Sequence, residues 1–178
     1  MKNSAKIIVL SLSILLSINL NAQSEKNGIG IGFHVNQIQN DFGIGIDIIS
    51  PYFANSIVAI KIGGSLKWLQ HSTLTSTTWT PYQNVQLGIR SRNFIIDDKF
   101  FIYGEGGGIV LIPNSIFSSE EFRGGGYGLF GFEFRTSSKI GFYFELGGVG
   151  TGARADKIVK SPIYSNGFLT NVGFRITL

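Results

Sequence analysis

The chain has 178 residues, no cysteine and a formal net charge of +4, with 15% charged and 13% aromatic residues. A typical soluble domain carries roughly a quarter charged residues, so an ordinary water-facing surface is not what this composition describes. No basic run or arginine-rich helix is present, which excludes nucleic acid as an expected partner, and no disulfide framework can form.

The first residues, "MKNSAKIIVLSLSILLSINLNAQS", carry Lys2 and Lys6, an apolar run from Ile7 to Leu20, and Ala22 before Gln23. That order is the charged, apolar and small-residue layout of a secretory signal peptide. Residues 1–22 are therefore expected to be removed, leaving 23–178 as one domain. Two of the 15 Lys and Arg residues lie in this leader, so the working chain is less basic than the total suggests. No later segment has the roughly 18 continuous apolar residues of a helical membrane span.

Eight segments then alternate apolar and polar or small residues, the period-two signature of strands. In "GIGIGFHVN" Ile29, Ile31, Phe33 and Val35 oppose glycines and His34; in "DFGIGIDII" Phe42, Ile44, Ile46 and Ile48 oppose Asp41, Gly43, Gly45 and Asp47. The third sets Val58, Ile60, Ile62, Leu66 and Trp68 against Lys61, Gly63, Ser65 and Lys67. The fourth sets Val85, Leu87 and Ile89 against Asn84, Gln86, Gly88 and Arg90. The fifth, "FFIYGEGGGIVLI", is apolar on both faces, with Glu105 on the face of Phe101, Tyr103, Gly107 and Ile109. In the sixth, Phe130, Phe132 and Phe134 share a face with Gly126 and Gly128, opposite Tyr127, Gly131, Glu133 and Arg135. The seventh opposes Ile140, Phe142, Phe144 and Leu146 to Gly141, Tyr143, Glu145 and Gly147. The last opposes Phe168, Val172, Phe174, Ile176 and Leu178 to Asn171, Gly173 and Arg175.

Alternate links fall on one side: "QIQN", "LQHSTLTSTTWTP", "PNSIFSSEEFR" and "TGARADKIVKSPIYSN". The other side has "SPYFAN", "SRNFIIDDK" and "TSSK", so with one exception the first side has the longer links.

"GYGLFG", residues 126–131, matches the G-x-G-x-x-G spacing of dinucleotide-binding turns. That spacing binds pyrophosphate only between a buried strand and a helix N-terminus. Here the polar "SSEEFRGG" precedes it and the alternating "FEFRTSSKIGFYFEL" follows. These glycines belong to a strand, where they let aromatic neighbours pack and let the sheet bend.

The polar face decides between a soluble and a membrane barrel. It is made of glycine, tyrosine, asparagine and isolated charges of both signs, whereas a water-facing wall is dense in Lys, Glu and Thr. Small and polar residues suit the cramped lumen of an eight-stranded barrel, and the apolar face suits acyl chains. The expected fold is all-β, an eight-stranded antiparallel up-and-down transmembrane β-barrel.

With its leader, strand count, unequal links and final strand "NVGFRITL", the chain resembles the small eight-stranded outer-membrane barrels of the OmpA/OmpX type. The resemblance covers residues 23–178 and implies the outer membrane of a Gram-negative bacterium. Members commonly end on an aromatic; here the last residue is Leu178, with Phe174 before it. No peptidoglycan-binding domain follows, so the layout is the OmpX-like one. The family name describes an architecture more than a task.

Nine charges are expected to point into the lumen: Asp47, Lys61, Lys67, Arg90, Glu105, Glu133, Arg135, Glu145 and Arg175. Five positive and four negative groups in a narrow space must pair, because an unpaired buried charge is costly. A structural plug is the favoured reading over a conducting path. Trp68, Trp79, Tyr82 and Tyr164 are expected at one membrane interface, and Tyr52, Phe53, Phe100 and Phe101 at the other, as girdle aromatics.

No catalytic residue, metal site or cofactor is expected. Only His34 and His71 could act as imidazole bases; His34 is placed in the lumen towards the loop end, His71 in an exposed loop beside Ser72. The expected partners are outer-membrane lipid and, through the loops, lipopolysaccharide or other surface ligands, with the chain monomeric. The alternatives are a narrow porin-like channel, a lipid A-modifying barrel enzyme and a soluble lipocalin-like carrier.

Overall fold

The structure is a computed structural model that describes residues 28–72, 77–96 and 99–178. The expected leader, residues 1–22, lies outside the described residues. Eight strands follow in order: β1 (Gly30–Ile38), β2 (Asp41–Ile49), β3 (Val58–Ser72), β4 (Thr77–Ile96), β5 (Phe100–Ile112), β6 (Arg123–Arg135), β7 (Ile140–Gly150) and β8 (Gly167–Thr177). Each pairs antiparallel with the next, and β1 closes on β8 from Gly30↔Thr177 to Ile38↔Leu169. The chain is an all-β, closed, up-and-down barrel of eight strands. Closure leaves no open sheet edge along the paired wall, so backbone groups there are satisfied inside the protein.

The alternation is what folds the sheet this way. Every second side chain must point to the same face, and on β2 Phe42, Ile44, Ile46 and Ile48 point outward while Asp41, Gly43, Asp47 and Ile49 are turned in. The outer wall carries Phe33, Val35, Ile46, Ile62, Leu87, Ile89, Phe134, Phe142, Phe168 and Phe174, all exposed. A contiguous apolar belt on that scale is far larger than the patches water-soluble monomers show. No helix among the described residues is long and apolar enough to cross a membrane, but strands of 9 to 20 residues meet the length a tilted β crossing requires.

The glycines of "GYGLFG" divide by parity. Gly126 and Gly128 face outward and Gly131 faces in, where a Cβ would overlap the Tyr103 ring. At Gly126 an added Cβ meets nothing closer than 3.6 Å. Gly131→Ala is accordingly expected to destabilise the fold by about 1–3 kcal/mol through overpacking, whereas Gly126→Ala should be neutral or slightly stabilising. Urea unfolding of both variants in micelles checks this; equal losses would remove the steric explanation.

The strands run further than the sequence pattern suggested. The segment 69–81, expected as a long link, is mostly ladder: Leu69 pairs with Thr80, Gln70 with Trp79 and His71 with Thr78, leaving only 73–76 as the connection. Threonines favour extended backbone and pair well across strands, so the Thr-rich run continues the hairpin. Similarly β4 continues through "SRNFII" after a register shift between Arg92 and Phe94. One end of the barrel therefore has two connections short in sequence, 39–40 and 73–76, and two long ones, 113–122 and 151–166. The other end has 50–57, 97–99 and 136–139. The asymmetry of the links rests on two loops, not on three.

Candidate functional site

The lumen contains the chemistry of this molecule. Asp47, Lys61, Lys67, Arg90, Glu105, Glu133, Arg135, Glu145 and Arg175 all lie buried inside the barrel. Three clusters organise them. In the middle, Arg90 is fully buried and donates from Nε and Nη2 to Glu105 Oε2 at 2.8 and 2.7 Å, and from Nη2 to Glu145 Oε1 at 2.7 Å. Lys61 Nζ stands 2.5 Å from the other Glu105 oxygen, to which the Tyr127 hydroxyl also donates at 2.9 Å. Glu145 further accepts from the Tyr103 hydroxyl and the Asn171 amide, both at 2.7 Å. Every carboxylate here is met by at least one cation and one neutral donor, which is what makes burial of the charges tolerable.

Towards the end that carries the termini, Asp47 accepts from the Tyr143 hydroxyl at 3.0 Å and faces Arg175 Nη2 at 3.6 Å. Glu133 takes Arg175 Nη1 on one oxygen and Arg135 Nε on the other. Towards the loop end, Lys67 donates to Asn36, which donates to Ser65 Oγ at 3.1 Å. Asp41 accepts from the Tyr82 hydroxyl at 2.7 Å and from the Ser165 backbone amide at 2.8 Å, fastening the β7–β8 loop to the lumen.

Above this lies an apolar cap. Tyr82, Phe117 and Tyr164 meet edge to face with ring centroids 5.9, 5.2 and 5.0 Å apart, and Ile38, Leu69, Leu111 and Leu169 pack around them. Such aromatic contacts add to the burial itself. Burial raises the Tyr164 hydroxyl to about 12. The two long loops are joined to each other: the Ser119 amide and hydroxyl donate to Asp156, and the Lys157 amide donates to the Phe117 carbonyl at 3.1 Å.

The side-chain and backbone hydrogen bonds from Ser119 hold the Asp156 carboxyl below the usual carboxylate value. A depressed pKa means the tie is in place above the ordinary carboxylate range and is lost as pH falls towards the lowered value. Hydrogen exchange at the Ser119 amide, corrected for intrinsic rate, is expected to lose protection on acidification, and Asp156→Asn should flatten that dependence. Protection that stays unchanged as pH falls through that lowered value would rule out this tie.

Three aromatic assignments are corrected. Tyr82, Tyr164 and Phe101 do not stand at a membrane interface; all three are buried within the barrel or its cap. Tyr82 has the parity of Thr80, Asn84 and Arg90, so once β4 extends past it the ring must turn inward. Phe101 has the parity of Glu105 and lies beneath the guanidiniums of Arg92 and Arg135, 4.8 and 4.5 Å from its centroid. Tyr164 arrives from the β7–β8 loop, whose inner face folds over the mouth.

The remaining aromatics sit as follows. Trp79 and Phe53 are exposed on the outside, Trp68 stacks on Phe42 at 6.3 Å, and Phe100 lies 5.9 Å from Phe132. Tyr52 lies under the Arg92 guanidinium at 3.6 Å.

The histidines also differ from expectation. His34 sits at mid-strand, paired with Gly45 and Gly173, and His71 lies within β3, bonded to Thr80 Oγ1 at 2.8 Å. Ser65, His34 and Asp47 fall in a line, with Oγ–Nε2 and Nδ1–Oδ2 separations of 3.5 and 3.4 Å. As a nucleophile relay the contacts are long, Ser65 Oγ already accepts from Asn36, and the Tyr143 hydroxyl contacts His34 Nδ1 at 3.2 Å. The line is part of the hydrogen-bond network rather than a reaction centre. Among the described residues no group of three or more His, Asp or Glu is placed to hold a metal ion.

On the outer wall a groove of about 740 Å³ crosses β8, β1, β2, β3 and β4. Phe33, Ile46, Phe174, Val35 and Ile44 form its ridges, and the vacancy at Gly64 deepens it. Its ridges are apolar, the chemistry that suits an acyl chain.

No family model and no curated protein matches the sequence. Solved structures do match. The N-terminal β-barrel domain of Pseudomonas aeruginosa OprF is 9% identical, with a TM-score of 0.57, covering 85% of this chain and 98% of that one. The outer membrane protein OprG from Pseudomonas aeruginosa is also 9% identical, with a TM-score of 0.59, covering 85% and 96%. This chain has the fold of the small eight-stranded outer-membrane barrels.

Proposed function

We propose that the protein is an outer-membrane barrel whose lumen is a solid polar plug and whose task is structural or surface-interacting. It is exported by the leader 1–22, and residues 23–178 form the working domain. The observation that carries this reading is the inversion of polarity. A wall of exposed Phe, Ile, Leu and Val surrounds a core in which Arg90, Lys61 and Glu145 are almost wholly hidden. In water that arrangement would be doubly unfavourable; in lipid both halves are satisfied. The fold shared with OprF and OprG supports the same placement.

The working protein is a monomer with outer-leaflet and inner-leaflet lipid along its wall. The joined loops 113–122 and 151–166 face outward, where exposed Ile116, Phe122, Val159 and Ile163 beside Arg154 and Lys160 offer a surface to lipopolysaccharide or other surface ligands. The chemistry is recognition without catalysis.

Two measurements test this. Detergent-solubilised outer membrane run unboiled and boiled should give two gel mobilities for this chain. The same folded protein in a planar bilayer should give no discrete conductance steps, because the ion pairs and the aromatic cap fill the bore. Stable, reproducible steps would replace the plug with the narrow-channel reading.

A further inference from the structure

At the rim that carries the termini, Ser50, Tyr52, Glu133, Arg135, Arg175 and Thr177 surround a cavity of about 10 Å³. That is the space one water-sized group occupies. Arg175 reaches it with donors to spare. The residue is buried, yet Nε and Nη2 have no hydrogen-bond partner among the described residues. Its Nη1 is engaged by Glu133, and Nη2 approaches Asp47 only to 3.6 Å. Gly30 keeps the Nε edge open, since a Cβ there would come to 2.8 Å of Arg175 Cδ and 3.7 Å of Nε. A buried guanidinium N–H without an acceptor carries the full desolvation cost of that group.

The charge count at this rim points the same way. Among the buried and half-buried groups of the described residues, Arg92, Arg135 and Arg175 gather here against Asp47 and Glu133. Both Glu133 oxygens are already taken, one by Arg175 and one by Arg135. Arg92 and Arg135 lie on the Phe101 ring, which attracts cations but neutralises none of their charge. Water in the cavity would satisfy Nε and leave, among these described groups, one positive charge uncompensated at the edge of a low-dielectric wall.

We infer that this cavity binds a single small monovalent anion of halide size, held by Arg175 Nε and Nη2 and by Arg135, which completes the charge balance at the base of the plug. Thr177 and Ser50 border it, and the hydroxyl of Ser50 is spent on the Pro51 carbonyl and the Ile60 amide. The cavity is too small for sulfate, phosphate or a carboxylic acid. The anion's role is to tie β8 to β6 over the intervening β7, since the strands that supply Arg175 and Arg135 are not neighbours in the sheet.

The full chain folded in non-ionic micelles tests this. Urea unfolding is followed by tryptophan fluorescence at fixed ionic strength, with potassium fluoride, chloride or bromide exchanged for potassium gluconate. The midpoint is expected to rise saturably with halide and to stay flat with gluconate. In Arg135→Gln, checked as folded by its gel shift, the apparent halide affinity should fall about tenfold, as loss of one charged hydrogen bond implies. Crystals grown in bromide should show an anomalous peak beside Arg175 Nε. Coincident halide and gluconate curves, an unaltered response in Arg135→Gln, or ordered water alone at that position would each overturn the inference.

Discussion

Replacing Arg90 with Met is expected to cost about 3–5 kcal/mol of stability, the loss typical of a buried ion pair deprived of one partner. Arg90 is the only described cation that touches both Glu105 and Glu145 within hydrogen-bond distance, at 2.8, 2.7 and 2.7 Å. Its two carboxylates would not suffer equally. Glu105 keeps Lys61 at 2.5 Å and the Tyr127 hydroxyl, whereas Glu145 is left with the neutral Tyr103 and Asn171 donors. A second substitution, Glu145→Gln, made in the Arg90→Met background, removes the stranded charge and should recover at least half of the loss. Urea midpoints of the folded barrel in lipid vesicles, with the gel shift as a check on folding, measure both. A loss under about 1 kcal/mol for Arg90→Met would mean that water reaches these groups, and the bore would then be wet rather than plugged.

That central cluster shows how far the sequence carries the reader. Strand identity and strand parity were legible, because period-two alternation needs no tertiary information. Parity alone placed Arg90, Glu105, Glu145 and Arg175 on one side of the wall. It does not say which of them touch, since the partners of Arg90 come from β5 and β7, and only closure of the barrel brings β7 across the bore from β4. The same parity places the tyrosines on the lumen face, but it does not give their role there. Tyr103, Tyr127 and Tyr143 each carry the parity of a lumen charge, and each donates its hydroxyl to a buried carboxylate. Parity shows the face they share with the charges but not which carboxylate each hydroxyl reaches. Tyr82 shows a different failure. An aromatic near a presumed strand end reads as a girdle residue, but once the Thr-rich link is ladder, residues of opposite parity separate to opposite faces: Tyr82 inward, Trp79 outward. The aromatic cap was illegible for a different reason, since Phe117 and Tyr164 come from two loops whose meeting depends on hydrogen bonds from Ser119 to Asp156 and from the Lys157 amide to the Phe117 carbonyl.

The orientation of the wall itself is tested by Leu87→Arg. Leu87 points outward from β4 between Ile62 and Gly108 and is 58% exposed. If acyl chains surround it, a guanidinium there is expected to cost about 2–4 kcal/mol in a bilayer near the midplane. The vacancy at Gly108 gives the new side chain room to lie along the wall towards the headgroups, which places the loss in the lower part of that range. If the wall faced water, the same change would replace an exposed leucine with a soluble residue and fall within about 0.5 kcal/mol of zero. The neighbouring Gly88→Ala provides the matching inward control, since its Cβ would overlap the Tyr127 hydroxyl that serves Glu105. That variant should lose stability in micelles and bilayers alike, because the damage lies inside the barrel. Leu87→Arg should lose more in bilayers than in micelles, whose surface deforms around a charge. The medium dependence, not the size of either loss, is what identifies lipid as the solvent of this face.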